Sequence, residues 1–384
     1  MNVTLIDKLQ IILVMFFMSL IMSVQAPLFT PYAALLGASS VLIGIMLSAS
    51  QLASLSGNII AGPLIDRFGK KRFIIIPMIL AGFVFILHSM ATNSTTLLLL
   101  RMVNGFVLAF LIPAALALLS SYAKNSVQQG KNMAIYGIMV TISSIIAPAI
   151  GGKLGSLIGY ENTYFIIGLT LLFVSLYTMI FVKDQNVLIK NRQTNKSYSL
   201  SQVLTTPRFP LVLAVGFAMM FLHGIIIYEV PYLTVEKGLS PATTGLLFSF
   251  FAIGTLFALS LFFIHRFDPF KRLLFGLLGM SLVMYAIIYD VLSFSILMTM
   301  LGFFFGIIMP AMATVVTNII PKEGHGRAFG LMSAFYSLGM IISTFSTGII
   351  RDVVSPYYIG ATLGLFVLMI VGYKIVQLPK IERA

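Results

Sequence analysis

The sequence predicts an all-α membrane protein whose twelve transmembrane helices form two pseudo-symmetric six-helix bundles. Composition is the first ground: of 384 residues, 59% are hydrophobic and 9% charged, and the mean hydropathy is +1.03. So few polar side chains cannot solvate a soluble chain of this size. The second ground is the recurrence, from end to end, of apolar runs near the roughly 20 residues that cross a ~30 Å hydrocarbon core. The third is that the second half repeats the first in order. A β-barrel is excluded because its strands alternate about every second residue, whereas Phe73 to Leu87 carries no polar side chain.

The expected spans are 10 to 33, 41 to 64, 72 to 92, 96 to 122, 133 to 157, 162 to 182, 209 to 234, 241 to 264, 272 to 290, 293 to 319, 327 to 350 and 356 to 378. The first follows Lys8 and holds Gln25 and Pro27. It is too long for a signal peptide, its leader carries Asp7 beside Lys8, and Pro27 follows the small-residue sequence Val24-Gln25-Ala26. The second and third flank the charged stretch Gly62 to Arg72. The fourth carries Arg101 and Asn104, the fifth Pro148, Gly151 and Gly152, and the sixth ends before Lys183. Residues 183–207, rich in Lys, Asn, Gln, Ser and Thr, form the one long polar connection. It divides an N-terminal bundle, 1–182, from a C-terminal bundle, 208–384. The seventh span carries His223 and Glu229, and the eighth ends near Arg266-Phe267-Asp268-Pro269, a worn copy of the earlier charged stretch.

The repeat rests on ordered coincidences. Gln25-Ala26-Pro27 with Thr30 matches Glu229-Val230-Pro231 with Thr234. Gly44 and Ser48 match Gly245 and Ser249; Gly105 and Pro113 match Gly302 and Pro310; Gly137 matches Gly330. Duplicated halves with a site between them are an architecture of secondary transporters.

The net charge of +13 is topological rather than a nucleic-acid footprint. The spans put 20 of the 24 Lys and Arg on one side, so the positive-inside rule expects a multi-pass protein of the cell membrane with both termini cytoplasmic. The absence of cysteine excludes disulfides, Cys-ligated zinc and thiol chemistry. No GxxxxGK[ST] loop occurs, which argues against direct ATP use. No convergent Ser/His/Asp or metal-ligand set marks an enzyme, and no large soluble segment marks a sensor. No cofactor or metal is expected.

Within Gly62 to Arg72, Gly62 offers a close helix approach and Gly69 the positive φ of a sharp reversal. Arg67, Lys70, Lys71 and Arg72 anchor one membrane face. The ordered spacing of Gly62, Asp66-Arg67 and Gly69-Lys70-Lys71 resembles the loop between helices 2 and 3 of the major facilitator superfamily. With Pro27 and Pro31, Arg101 with Asn104-Gly105, and Pro148 with Gly151-Gly152, the whole chain resembles the twelve-helix drug:proton antiporters of that superfamily. The resemblance implies the major facilitator fold, alternating access, and a switch built from Gly62, Asp66, Arg67, Gly69, Lys70 and Lys71. In that switch Asp66 meets the N-terminus of the eleventh helix, whose positive end favours a carboxylate. It also associates Pro148, Gly151 and Gly152 with export, although Ala147 stands where the family usually has glycine. A single chain is expected to be the working unit.

An ionisable side chain inside the bilayer costs at least ~2.5 to 3.5 kcal/mol and is a functional candidate. Glu229 is the expected proton carrier, because desolvation raises a carboxyl pKa toward neutrality. Arg101 resembles the arginine that the family implicates in proton coupling. Many relatives pair it with an acid in the first helix, where this chain offers only Gln25. Arg101 therefore either pairs with Glu229 or remains available to a substrate anion. Gln25, Arg101, Asn104, His223, Tyr228, Glu229 and Tyr232 are the expected cavity residues, with small-molecule substrate, protons and the bilayer as partners. His88, His265 and His325 fall near loop ends.

The resulting expectation is a proton-coupled exporter. Its cargo leans to an anionic or zwitterionic metabolite such as an amino-acid-derived opine metallophore, since the whole chain loosely resembles exporters of the staphylopine type. Multidrug efflux of lipophilic cations and proton-coupled uptake are the alternatives.

Overall fold

The computed structural model describes residues 5–123, 125–184 and 199–377. Its helices, in order, are α1 (Leu5–Val24), α2 (Phe29–Leu35), α3 (Ser40–Phe68), α4 (Arg72–Ser89), α5 (Ser94–Leu108), α6 (Leu111–Ser121) and α7 (Ser126–Phe181). They continue as α8 (Leu200–Thr205), α9 (Phe209–Glu236), α10 (Pro241–Ser260), α11 (Pro269–Ile288), α12 (Phe294–Ile319), α13 (His325–Ile350) and α14 (Pro356–Gln377). No strand occurs among the described residues.

Among the described residues, eleven helical segments are long and apolar enough to cross a membrane. One of them, Gln128–Phe181, has 54 residues and would be about 81 Å long if straight, at 1.5 Å per residue. It instead reverses at Gly159, where φ is 83° and ψ 168°, a conformation that favours glycine. Two crossings result, and the described chain holds the twelve expected.

Polar caps start several helices. Ser39, Asn93 and Asn125 accept the amides of Leu42, Thr96 and Gln128 at 3.3, 2.8 and 2.8 Å, satisfying donors that a helix start leaves open. Asp268 caps α11 ahead of Pro269, a residue suited to the first helical turn. Prolines break two spans internally. Pro27 has no amide hydrogen for the carbonyl of Ser23, which takes the amide of Ala26 instead at 3.2 Å, and α1 ends. Pro113 likewise gives nothing to Ala109, where α5 stops before α6.

The described residues fall into two compact units. The first draws on Met1–Lys190 with Tyr228–Ser249, the second on Asn191–Ile227 with Phe250–Ala384. Within the first, α5 crosses α3 with Gly105 so close that a Cβ there would stand 2.3 Å from the carbonyl oxygen of Ser50. Within the second, α12 crosses α10 in the same way: a Cβ on Gly302 would stand 1.8 Å from the carbonyl oxygen of Phe251. Ser48 and Ser249 also bond alike, to the carbonyls of Gly44 and Gly245 at 2.8 and 3.2 Å. The matched residues of the two halves thus do matching work, letting small-residue helices approach backbone to backbone.

Gly69 adopts the positive φ expected of it, 99°, at the end of α3. Gly62 differs from expectation. Nothing lies within 4 Å of where its Cβ would be, and the close approach sits five residues earlier, at Gly57, 2.8 Å from the Phe106 carbonyl. α3 meets α5 at Ser50 and again near Gly57, both before the turn that carries Gly62.

Candidate functional site

The break between α1 and α2 turns the backbone at Gln25 to Leu28 and brings Gln25 and Phe29 against α5. Arg101, two turns into α5, donates from Nη1 to Gln25 Oε1 at 2.5 Å and lies 4.1 Å from the centroid of the Phe29 ring. The guanidinium therefore has a hydrogen-bond acceptor and a π face in the first span. The first-span partner of Arg101 is the neutral Gln25. Asn104, three residues on and on the same face of α5, is buried.

Around Arg101 lies a polar and aromatic cluster that the sequence reading missed. His88 is fully buried in α4, and its Nδ1 is 2.7 Å from the carbonyl oxygen of Val84. A carbonyl only accepts, so Nδ1 carries the hydrogen of this bond. The ring stacks on Tyr164 of α7 at 5.3 Å, and Tyr164 packs on Tyr32 at 5.5 Å. Tyr32 closes the circle, its hydroxyl donating to the His88 carbonyl at 2.8 Å. Thr30 Oγ1, His88 Nε2, Arg101 Nε, Asn104 Nδ2 and Tyr164 Oη are buried with no hydrogen-bond partner among the described residues. These are half of the ten such side-chain atoms in the described chain, and buried polar atoms are ordinarily satisfied. His88 lies at the end of α4, as expected, and its burial and stacking place it in this cluster. His325 starts α13, with Nε2 2.9 Å from the Ile320 carbonyl. The His265 side chain lies outside the described residues.

Glu229 is buried in α9, two residues before Pro231. Beside it, Tyr228 is fully buried, donates to the carbonyl of Ser40 at 2.6 Å, and stacks on Tyr232 at 5.7 Å. His223 falls in the second unit, its ring packed against Phe251 at 5.2 Å and Phe305 at 5.1 Å. Its Nδ1 is buried without a hydrogen-bond partner.

The fifth-span motif is a contact surface. A Cβ on Gly151 would stand 2.0 Å from the Val24 carbonyl oxygen, and one on Gly152 2.1 Å from that of Pro241. From the other side, a Cβ on Gly245 would stand 2.2 Å from the carbonyl oxygen of Pro148. The start of α10 and the middle of α7 therefore touch through main chain. In the charged loop, Lys71 Nζ donates to the Met179 carbonyl at 2.9 Å and Arg67 lies 5.2 Å from the centroid of the Phe68 ring. Lys70 is part-buried. The Asp66 side chain lies outside the described residues, and with it the expected contact to the eleventh span.

A cavity of about 190 Å³ opens between α1, α6 and α7. Met15, Met18 and Met22 line it from α1 with Ser19 and Ser23; Tyr136 and Ser144 face it from α7. The lining carries no charge. Methionine is flexible and polarisable, so such walls adapt to differently shaped apolar groups. The spacing of Met15, Met18, Ser19, Met22 and Ser23 was readable as one helical face, but only packing shows that the face borders a cavity.

A family model described as Major Facilitator Superfamily matches residues 11–344 and 273–383. Among curated relatives, the quinolone resistance protein NorA of Staphylococcus aureus (strain MRSA252) is 26% identical over 384 residues, covering 93% of this chain and 92% of that protein. The multi-drug resistance efflux pump PmrA homolog of Lactococcus lactis is 25% identical over 363 residues, covering 87% and 85%. Among solved structures, a bacterial homolog of the human lysosomal transporter Spinster, inward-facing and occupied, superposes with a TM-score of 0.76 at 16% identity, covering 96% and 95%. A D-xylose-proton symporter reaches 0.71 at 14% identity, covering 96% of each chain.

Proposed function

We propose, for a chain that belongs to the Major Facilitator Superfamily, that it exports small molecules from the cytoplasm in exchange for protons. As a member of that family it is a multi-pass membrane transporter, and the direction and coupling are the proposal. The carrying observation is the main-chain contact that Gly151, Gly152 and Gly245 make between α7, α1 and α10. There backbone meets backbone without side chains between. The contact supports a transporter that opens and closes in discrete states, and a relative named as a multi-drug resistance efflux pump supports the outward direction. Glu229, buried beside Pro231, is the proposed proton carrier, loading and unloading as its surroundings alternate between wet and dry. The positive-inside rule supports a cytoplasmic side for the basic loop and for both termini.

Two readings of the cargo each have an observation behind them. The anionic or zwitterionic metabolite, an opine metallophore among the candidates, is favoured by Arg101, whose Nε is buried without a hydrogen-bond partner among the described residues. Efflux of lipophilic drugs is favoured by the uncharged methionine cavity and by the names of the relatives.

The deciding experiment combines metabolite profiling of a deletion strain with a drug-susceptibility panel, followed by transport into everted vesicles. Accumulation of an endogenous acid inside the deletion strain supports the first reading; heightened sensitivity to lipophilic cations supports the second. Uptake into everted vesicles that ignores a proton gradient would overturn the coupling, and uptake by intact cells down the same gradient would overturn the direction.

A further inference from the structure

A second cavity lies away from the transport site, on the membrane-facing surface between α4 and the break that joins α5 to α6. It has a volume of about 150 Å³, with Phe73, Ile76, Pro77 and Leu80 on one wall, Phe106 and Phe110 on the other, and Arg72 at one end. Ile76, Leu80 and Phe106 are exposed. Its shape follows from sequence. Pro77 has no amide hydrogen for the carbonyl of Phe73 and its ring displaces the preceding turn, while the interruption at Ala109 and Phe110 bends the opposite wall. The aromatic floor continues toward the loop through Phe110, Phe73 and Phe68, with centroids 5.8 and 6.3 Å apart, and Arg67 lies over the last ring.

We infer that this groove binds an anionic glycerophospholipid, its phosphate held by Arg72 and one acyl chain lying along the apolar walls. Length fits: eight residues from Arg72 to Leu80 rise about 12 Å, most of the ~15 Å that one leaflet contributes to a ~30 Å core. Volume fits as well: a slot of about 150 Å³ is too small for a helix of about 10 Å diameter but can take part of a single hydrocarbon chain. Charge selects the headgroup. Arg67 and Arg72 are exposed at the head of the groove with Lys70 beside them, and a guanidinium pairs with phosphate through two hydrogen bonds. A zwitterionic headgroup brings its own cation into this positive field, whereas an anionic one does not.

The chain contains no tryptophan, so one introduced tryptophan reports on its own surroundings. Leu80→Trp at the far end of the groove, reconstituted in bilayers, is quenched by brominated phosphatidylglycerol or brominated phosphatidylcholine at equal mole fraction. The expected result is a preference of about fivefold for the anionic lipid, the size of one basic contact near a membrane surface. The preference disappears in Leu80→Trp with Arg72→Gln and is absent from Phe366→Trp, an exposed apolar position in α14 of the second unit. Equal quenching by the two lipids at Leu80→Trp, the same preference at Phe366→Trp, or its survival in Arg72→Gln overturns the inference. Loss of preference in Arg67→Gln but not in Arg72→Gln overturns the assignment of the phosphate to Arg72. Should the tryptophan crowd the slot, native mass spectrometry of the unlabelled protein gives the same comparison: retained phosphatidylglycerol falls in Arg72→Gln, and unchanged retention sinks the idea.

Discussion

Arg101 Nη1 donates to Gln25 Oε1 at 2.5 Å across the break in the first span. An amide thereby occupies the place where an acid would neutralise the guanidinium, and the arginine keeps its positive charge in a buried setting. Gln25→Ala leaves that donor unmatched, and a buried unsatisfied group costs about 1 to 3 kcal/mol. Lowered thermal stability in detergent is the expected readout, together with reduced transport. Arg101→Lys keeps the charge but loses the planar fork and the contact with Phe29, so transport should fall at least about tenfold, roughly 1.4 kcal/mol by the usual conversion. Normal rates in both variants would show that the pair is incidental.

Glu229→Gln removes the titrating proton while keeping size and hydrogen bonding. Reconstituted protein should lose uphill transport driven by a proton gradient and retain substrate exchange in its absence. The sign follows from the proposed direction: export by the native protein speeds up as the outer medium is acidified relative to the interior, and the variant does not respond. Unchanged uphill transport in the variant would reject Glu229 as carrier.

Gly152→Ala places a methyl 2.1 Å from the carbonyl of Pro241, and overpacking of this kind costs about 1 to 3 kcal/mol. Transport should drop sharply, because the state that brings α7 against α10 is disfavoured. Gly137→Ala, on the same helix with nothing within 4 Å, is the control and should leave stability within about 0.5 kcal/mol of the native value. Equal effects of the two changes would sever the contact from the mechanism.

Ser144→Phe projects a ring into the cavity of about 190 Å³. Competition for bulky apolar substrates should weaken at least about tenfold while small substrates are less affected, as expected when a pocket loses volume. Identical losses for large and small substrates would indicate that cargo does not enter this space.

Much of the fold was legible because each crossing needs an apolar run and the runs were unbroken by charge. Even the repeat could be read, since Gly105 and Gly302 mark crossings where only glycine fits. The internal breaks at Gln25 and Ala109 were not legible to the same degree; a proline in a membrane helix sometimes kinks it and sometimes interrupts it, depending on neighbours. Gly62 belongs to a recognisable motif and so attracted a packing role that Gly57 performs. His88 was assigned to a loop end because sequence distance to Ser89 and Met90 was visible, whereas its stacking on Tyr164, 76 positions away in the numbering, was not. For the same reason Arg101 and Gln25 were both singled out, yet only the packed structure joins them. The methionine face was periodic in the sequence, but periodicity does not distinguish a cavity wall from lipid-facing or core packing.

The reversal at Gly159 ties these parts together. Helix continues on both sides of it, and Thr163 Oγ1 donates back to the Gly159 carbonyl at 2.6 Å, so the turn contains no slack. A twist applied to the segment bearing Gly151 and Gly152 has no loop in which to dissipate before it reaches Tyr160 and Tyr164. The two crossings are then expected to move as one crank, so that loosening the glycine contacts also weakens the stack on His88. Inserting two or three flexible residues after Gly159 would disconnect the crank while leaving each crossing intact.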